Sequence, residues 1–345
     1  MNSSFSVKNL LIKAALRFSP KCGMDKTPAR ILVVATTAMG DTLWATPAIE
    51  SLRKSFPDCH LAALTSSIGM QILGNNPNLD QLFLLKEPLL PRLWPLRKAL
   101  VAEKFDTVLL FHASQRLTLP LCASIGASTI VGTAGINKGL DSLLTHPLPN
   151  LYQHEIARRL QMVQTIGGQI HSETLSFFLE EKQLKKKDLW VALHPGSKDS
   201  FKRWPETNFG ELGAMLQKNL GCNILITGGA GEEKLMQKTA SLIPGAILER
   251  NLPLRCFAAR LKQIDLLVCN DTGPFHLAAA VKTPVIGIFA ATDPFLCGPY
   301  KASNAIAIAK KNSCTPCLKR KCRSPFCLLQ IGTCEVYDAA IKMLQ

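Results

Sequence analysis

Four stretches of this 345-residue chain carry side chains that could do chemistry. The first is Leu266-Leu-Val-Cys-Asn-Asp-Thr-Gly-Pro-Phe-His-Leu-Ala-Ala-Ala280. An apolar run ends at Asn270-Asp271, and a helix is expected from near Pro274, with Thr272 or Gly273 as its cap. Free N–H groups and the positive end of that helix would then face the carboxyl edge of a sheet, a ready site for an anion. Gly273, lacking a side chain, lets a phosphate approach closely. The competing reading is that Asp271 and Thr272 only cap the helix. The second stretch is His194-Pro-Gly-Ser-Lys-Asp-Ser-Phe-Lys-Arg-Trp-Pro205, which again follows an apolar run and precedes a helical one. It offers the Ser197 hydroxyl and the cations Lys198, Lys202 and Arg203, a set able to neutralise a departing diphosphate. Its alternative is an ordinary polar loop with solvated lysines.

The third stretch is Thr227-Gly-Gly-Ala-Gly-Glu-Glu233. Gly229 lies in the turn, and Glu232 or Glu233 could reach ribose hydroxyls, or both could be favourable acids of a first helical turn. The stretch is not G-x-G-x-x-G, and the chain has no G-x-x-x-x-G-K-[ST], which argues against dinucleotide oxidoreductases and P-loop kinases. The fourth, Val33-Val-Ala-Thr-Thr-Ala-Met-Gly-Asp-Thr-Leu-Trp-Ala-Thr-Pro47, places Asp41 at a first strand-to-helix turn. A carboxylate there could remove a proton from an acceptor hydroxyl, or could be an N-cap aspartate.

These turns need strands to carry them. Short apolar runs give expected strands at Ile31–Thr36, His60–Thr65, Gln81–Leu85, Thr107–Phe111 and Thr129–Val131. Helical patterns lie between them at Thr42–Lys54, Leu89–Glu103 and Ser114–Ile125. The alternation resumes with strands at Trp190–Leu193, Asn223–Thr227, Ala246–Leu248, Leu266–Cys269 and Pro284–Phe289. In the helix expected over Pro205–Leu220, Phe209, Leu212, Leu216 and Leu220 share one face, and Gly221 stops it. Repeated strand–helix alternation implies parallel sheets with right-handed crossovers, hence an α/β chain of two Rossmann-like domains. The expected division is an extension over 1–30, a first domain over 31–182 and a second over 183–345. The charged run Glu180–Asp188 lies at the boundary, and a terminal helix is expected over Val336–Leu344.

The net charge of +15 calls for an anionic partner. No RNA- or DNA-reading motif is present, which leaves a phosphate-rich substrate or an anionic membrane surface rather than nucleic acid. No apolar run is long enough to span a bilayer, and Lys13 interrupts what would be the apolar core of an export signal. The basic segment Phe5–Phe18 reads either as an amphipathic helix on anionic lipid or as a helix packed on the body of the protein. A cytoplasmic location, free or peripheral at the inner face of the cytoplasmic membrane, is the expectation, with the cysteines reduced. Cys314, Cys317, Cys322 and Cys327 could hold tetrahedral zinc, but their spacing is irregular for a zinc ribbon and reduced thiols are the simpler reading.

Taken in order, Gly40-Asp41 with Thr46-Pro47-Ala48, His194-Pro-Gly-Ser197, Lys202-x-Trp-Pro205 and Asp271-Thr-Gly-x-x-His276 resemble glycosyltransferase family 9, the lipopolysaccharide heptosyltransferases. The resemblance runs from about Ile31 to the C-terminus. It implies a GT-B fold, two Rossmann-like domains facing a central cleft. It also implies inverting transfer of heptose from ADP-heptose to a lipid A–core acceptor, without metal or other cofactor. Asp41 matches the general base and Lys202 the diphosphate-binding lysine; Ser197, Thr272 and Gly273 match phosphate contacts. Glu232 stands where a ribose-binding acid is expected, with Glu233 one register away, and Asp271 and His276 fit the family pattern. Two other functions fit the same residues: transfer from another nucleotide sugar, or binding of a nucleotide sugar or lipopolysaccharide without catalysis. The presence of both Asp41 and Lys202 argues against the last, since binding alone needs no base.

Overall fold

The computed structural model describes residues 27–113, 115–180, 188–310, 322 and 326–345. The basic segment Phe5–Phe18, most of the charged run after Glu180, and Cys314 and Cys317 lie outside the described residues. The chain forms two compact units, Met1–Glu173 and Thr174–Gln345. The division falls ahead of the charged run, because residues after Thr174 are already tied to the second unit. Lys282 Nζ donates to the Leu175 carbonyl at 3.3 Å and Arg255 Nη2 to that of Phe178 at 2.7 Å.

The first unit holds β1 (Arg30–Ala35), β2 (His60–Thr65), β3 (Gln81–Leu84), β4 (Thr107–His112), β5 (Thr129–Thr133) and β6 (His146–Leu148). All pair in parallel, in the order β3-β2-β1-β4-β5-β6. Ile31, Leu32, Val33 and Val34 are wholly buried, as a central parallel strand covered on both faces requires. The second unit holds β7 (Trp190–His194), β8 (Asn223–Gly228), β9 (Ile247–Arg250), β10 (Leu266–Asn270), β11 (Val285–Phe289) and β12 (Ala305–Ala309). Its order, β12-β11-β10-β7-β8-β9, repeats that of the first unit. Strand order therefore reverses between β1 and β4, and again between β7 and β10. In such sheets the crevice at the carboxyl ends of the two strands flanking the reversal is where ligands bind.

The ten strands expected from the sequence are present, with ends that coincide or move by one or two residues. The edge strands β6 and β12 and the helix Glu155–Thr165 were not foreseen. β6 is three residues with Pro147 at its centre, a pattern that reads as a loop until a neighbouring strand pairs with it. The helix expected over Thr42–Lys54 is two, Met39–Leu43 and Thr46–Ser55, the second beginning with Pro47 in its first turn. The helix expected over Leu89–Glu103 keeps its α part at Leu93–Ala102, and that over Ser114–Ile125 shortens to Thr118–Ala123. In the helix Glu206–Leu220, Phe209, Leu212 and Leu216 are buried as expected, whereas Leu220 is exposed beside the left-handed Gly221 at φ 64°. Pro205 precedes this helix as its N-cap rather than lying in its first turn. The terminal helix Thr333–Leu344 buries Val336 and Ala340 in the second core and is tied to the helix Glu206–Leu220 by Thr333 Oγ1 donating to Glu211 Oε2 at 2.6 Å.

Candidate active site

The loop after β7 is fixed by one residue of the neighbouring strand. Asn270, the buried last residue of β10, donates from Nδ2 to the carbonyls of Pro195 at 2.9 Å and Gly196 at 3.2 Å. Its Oδ1 accepts from the Trp204 backbone N–H at 2.9 Å, so one side chain holds both ends of the loop. Trp204 is fully buried, donates from Nε1 to the Ile331 carbonyl at 2.9 Å and stands edge-on to Phe209 at 5.0 Å. Lys202 closes a short turn of 3-10 helix, Ser200–Lys202, and its Nζ lies 2.5 Å from Asp271 Oδ2. The same carboxylate oxygen accepts a short hydrogen bond from the Thr292 hydroxyl. An ammonium and a carboxylate, both largely shielded from water, thus sit paired at the β7/β10 reversal.

Beside the pair begins the helix Gly273–Ala280. Thr272 is its N-cap with extended backbone, and its side chain makes no cap hydrogen bond. The reading in which Asp271 and Thr272 serve only as caps is therefore not what forms: Asp271 is engaged by Lys202 and Thr292 instead. The Gly273 N–H has no acceptor within the helix, and Pro274 has no N–H to offer. His276 is buried one turn in, edge-on to Phe275 at 5.1 Å.

The turn after β8 packs against the turn after β7 through a glycine. A Cβ on Gly196 would collide with the Glu232 carboxylate. Glu232 Oε2 accepts from the Gly229 N–H at 2.8 Å and lies 3.8 Å from His194 Nε2. The Nδ1 of His194 is bonded to the Thr227 hydroxyl at 3.0 Å. Burial pushes the His194 imidazole down to about 4, although the Glu232 carboxylate pulls it the other way, so the ring is neutral behind Glu232. Arg203 donates from Nε and Nη2 to the Ser197 carbonyl at 2.9 and 2.6 Å, and its Nη2 lies 3.9 Å from Glu232 Oε1. Ser197 is buried while Lys198 is exposed. Glu233 faces outward towards Asn251 at 3.4 Å, its carboxyl held below the usual range by backbone N–H groups at Glu233 and Gly231 and by Asn251. The structure thus gathers Ser197, Gly229 and Glu232 in one place and Lys202, Asp271, Thr272 and Gly273 in another, at adjoining strand ends.

In the first unit, Asp41 lies inside the helix Met39–Leu43, not at its N-cap, which is Ala38. Its Oδ2 accepts from the Ala38 N–H at 3.4 Å, and its Oδ1 faces Arg159 Nη2 at 3.8 Å. Arg159 is fully buried over the Trp44 ring, and Glu155 takes its Nη1 with a backbone and a carboxylate oxygen at 2.6 and 2.7 Å. Its Nε and Nη2 have no hydrogen-bond partner among the described residues. His112, the last residue of β4, is held below its ordinary value by burial, against the pull of Asp41. A partly exposed carboxylate flanked by a fixed cation and a neutral imidazole can take a proton from a hydroxyl brought to it.

Of the zinc candidates, Cys322 is partly exposed and Cys327 buried in the second core; the other two lie outside the described residues. No set of three or more metal-ligating side chains occurs among the described residues. Asn270, Thr292, His112 and Arg159 were not marked from the sequence. Asn270 carried a faint signal, an amide at the buried end of an apolar run; the others become visible only when distant strands meet. No helix among the described residues is long and apolar enough to cross a membrane.

Comparison with known proteins gives these turns a context. The model of the family "Glycosyltransferase family 9 (heptosyltransferase)" matches residues 93–327, a span that contains the turns after β7, β8 and β10 but not Asp41. Lipopolysaccharide heptosyltransferase 3 of Escherichia coli K12 is 26% identical over 287 residues, 76% of this chain and 82% of that one. Lipopolysaccharide heptosyltransferase 1 of Salmonella typhimurium LT2 is 26% identical over 311 residues, 79% and 91%. Among solved structures, a family 9 glycosyl transferase from Veillonella parvula superposes with a TM-score of 0.79 at 22% identity, covering 92% of this chain and 97% of that one. The Escherichia coli heptosyltransferase WaaC with ADP superposes with a TM-score of 0.75 at 21% identity, covering 91% and 99%. The two parallel six-stranded sheets are thus those of the GT-B fold.

Proposed function

Since the chain belongs to glycosyltransferase family 9, the heptosyltransferases, we propose that it transfers a heptose from ADP-heptose to an inner-core sugar of lipopolysaccharide, with inversion at the anomeric carbon. The observation that carries this reading is the Lys202–Asp271 pair beside the open N-terminus of the helix at Gly273. An ammonium and a backbone N–H with no acceptor in its own helix, at a strand reversal, suit the diphosphate of a nucleotide sugar. That the homologous WaaC was solved with ADP supports the choice of nucleotide.

In the proposed reaction, Asp41 takes the proton of an acceptor hydroxyl. The hydroxyl oxygen forms its bond to the anomeric carbon as the bond from that carbon to the β-phosphate oxygen breaks on the opposite face. Lys202, Ser197 and the helix start at Thr272-Gly273 receive the charge that develops on the leaving ADP. Asp271, with Thr292, holds the Lys202 ammonium at the switch point, and His276 packs beneath that helix start. Glu232 accepts from ribose hydroxyls, with Gly229 and the neutral His194 fixing its carboxylate. Lys202 and the backbone dipoles meet the diphosphate charge in place of a metal ion, as the family resemblance implies. The acceptor is lipid-linked, and a net charge of +15 suits work at an anionic membrane face.

Purified protein offered a panel of nucleotide sugars and truncated lipid A–core acceptors should release ADP only with both substrates present, and fastest from ADP-heptose. Faster turnover from a hexose or N-acetylhexosamine donor would replace heptose in this assignment. Uptake of ADP-heptose with no ADP release from any acceptor would make the protein a binder.

A further inference from the structure

The guanidinium of Arg159, wholly shielded from water, stands between two carboxylates of the first unit. Its Nη1 donates to the carbonyl and the carboxylate of Glu155, the first residue of its own helix, at 2.6 and 2.7 Å. The opposite edge, formed by Nε and Nη2, is the one that grips a carboxylate with two N–H groups, and it is unused. Buried donors are rarely left so. Beside that edge lies Asp41, its Oδ1 at 3.8 Å from Nη2. Asp41 is lightly held, with the Ala38 N–H at 3.4 Å from Oδ2 in a helix of five residues. The cation is thus bonded to Glu155 and near Asp41 without being bonded to it. Had Arg159 only Asp41 as counter-ion, each protonation of Asp41 would strand a buried charge and so be opposed. Glu155 removes that penalty. The surrounding charged groups are otherwise engaged. Glu155 Oε1, Asn150 and the Leu151 carbonyl hold Arg158 at 3.3, 2.9 and 3.0 Å. His112 on β4 is kept neutral by burial, and Lys138, after β5, adds a cation whose charge reaches that ring. On the helix Thr46–Ser55, Glu50 pairs with Lys54 and Arg53 with Asp80. The helix Ser67–Leu73, which packs on that of Asp41, has no charged residue.

We propose that Arg159 is the positioning residue of Asp41 and Glu155 its standing counter-ion. The free Nε–Nη2 edge directs the Asp41 carboxylate, and Glu155 keeps the cation compensated when Asp41 becomes neutral. The proton leaves the acceptor hydroxyl for the Asp41 carboxylate and cancels its charge, while the hydroxyl oxygen forms the bond to the anomeric carbon. The role of Asp41 as base rests on the function proposed above; the sharing of one buried cation by two carboxylates does not.

The test is the pH–rate profile of ADP release by the full chain, with ADP-heptose and a truncated lipid A–core acceptor both saturating. E155Q leaves Asp41 as the sole counter-ion of Arg159, so the acidic limb of kcat should move down by about one pH unit and the plateau should fall several-fold. R159M removes the cation, so the limb should move up by about one pH unit. Its plateau should fall about tenfold or more, because the carboxylate loses its direction. R159K restores the charge without the planar fork and should return the limb towards its wild-type place but not the plateau. Donor KM should stay within about twofold throughout, since Arg159 and Glu155 belong to the unit without the nucleotide groups. A merely structural role would lower the rate at every pH and leave the limb where it is. Limbs that stay in place, or that move the same way in E155Q and R159M, overturn the proposal. Should R159M fail to fold, an unmoved or raised limb in E155Q overturns it. Asp41→Asn separates this role from the base assignment. Full turnover in that variant defeats the base and the positioning role together. Lost turnover in it, with unmoved limbs in the others, leaves the base standing and defeats the positioning role alone.

Discussion

Asp41 and Lys202 each face an opposite charge from another element, and the two pairings have different consequences. Asp41 meets Arg159 at 3.8 Å, too far for a hydrogen bond, so its carboxylate stays available to a substrate proton. Asp41→Ala should reduce ADP release about 10²–10⁴-fold while leaving ADP affinity unchanged, because the nucleotide groups belong to the other unit. Lys202 at 2.5 Å from Asp271 is a tight, shielded pair, and removing one partner strands the other. Lys202→Ala should therefore lose about 10²–10³-fold in turnover and also weaken ADP binding, since an uncompensated Asp271 repels the diphosphate. Adding Asp271→Asn should recover ADP affinity but not turnover; calorimetry and kinetics on the two variants separate these effects. His194 gives a pH dependence of stability. Its folded-state value is depressed to about 4 from 6.5, so the unfolded chain binds the extra proton first as pH falls. The stability it contributes is present above about pH 6.5 and is lost progectively towards pH 4, on the order of 3 kcal/mol in all. Urea denaturation of wild type and His194→Gln at pH 7 and pH 5 should show the smaller decline in the variant. Each of these residue types was legible from the sequence, Asp41 and Lys202 by their place in turns. Their partners were not, because Arg159 lies 118 positions from Asp41 and Asp271 lies 69 from Lys202.

At the scale of elements, the site depends on turns that pack tightly enough to need glycine. Gly196→Ala places a methyl where the Glu232 carboxylate now sits. The carboxylate is the flexible end of its side chain and can move, so the melting temperature should change little while ADP affinity falls by tenfold or more. Unchanged ADP affinity would remove Glu232 from the donor site. Gly221 has a purely structural part: at φ 64° it ends the helix Glu206–Leu220, and Gly221→Ala should cost about 1 kcal/mol in denaturant unfolding with no effect on KM. The central strands were readable because burial on both faces leaves uninterrupted apolar runs such as Ile31-Leu-Val-Val34. The edge strands β6 and β12 were not. His146-Pro-Leu148 has no local pattern, and Ala305-Ile-Ala-Ile-Ala309 pairs, among the described residues, on one side only, with β11. The helix Glu155–Thr165 was missed although its N-cap is His154, whose Nδ1 accepts from the Ile156 N–H at 3.0 Å. Histidine is not among the usual capping residues, so the start signal was weak. The missed helix supplies both Arg159 and Glu155 to the surroundings of Asp41.

For the molecule as a whole, the excess of 40 basic over 25 acidic residues would favour encounter with the anionic acceptor proposed above. Raising ionic strength from about 0.05 to 0.5 M shortens the screening length several-fold, so KM for a charged core acceptor should rise while kcat stays within about twofold. A salt-independent KM would remove the charge from substrate capture. The sequence by itself determined the class of fold, since alternating apolar runs and amphipathic helices leave few solutions besides parallel sheets with crossovers. It also marked which turns could carry chemistry, because glycine, hydroxyl, lysine and carboxylate side chains at the ends of buried strands are a local pattern. Only the tertiary structure decided how those groups are used. It showed that Asp271 holds Lys202 instead of capping a helix, that Glu232 rather than Glu233 lies over Gly196, and that Asn270 clamps the loop before Trp204. The reason is that charge pairing and burial depend on distances between strands far apart in sequence, which the order of residues along one strand does not specify.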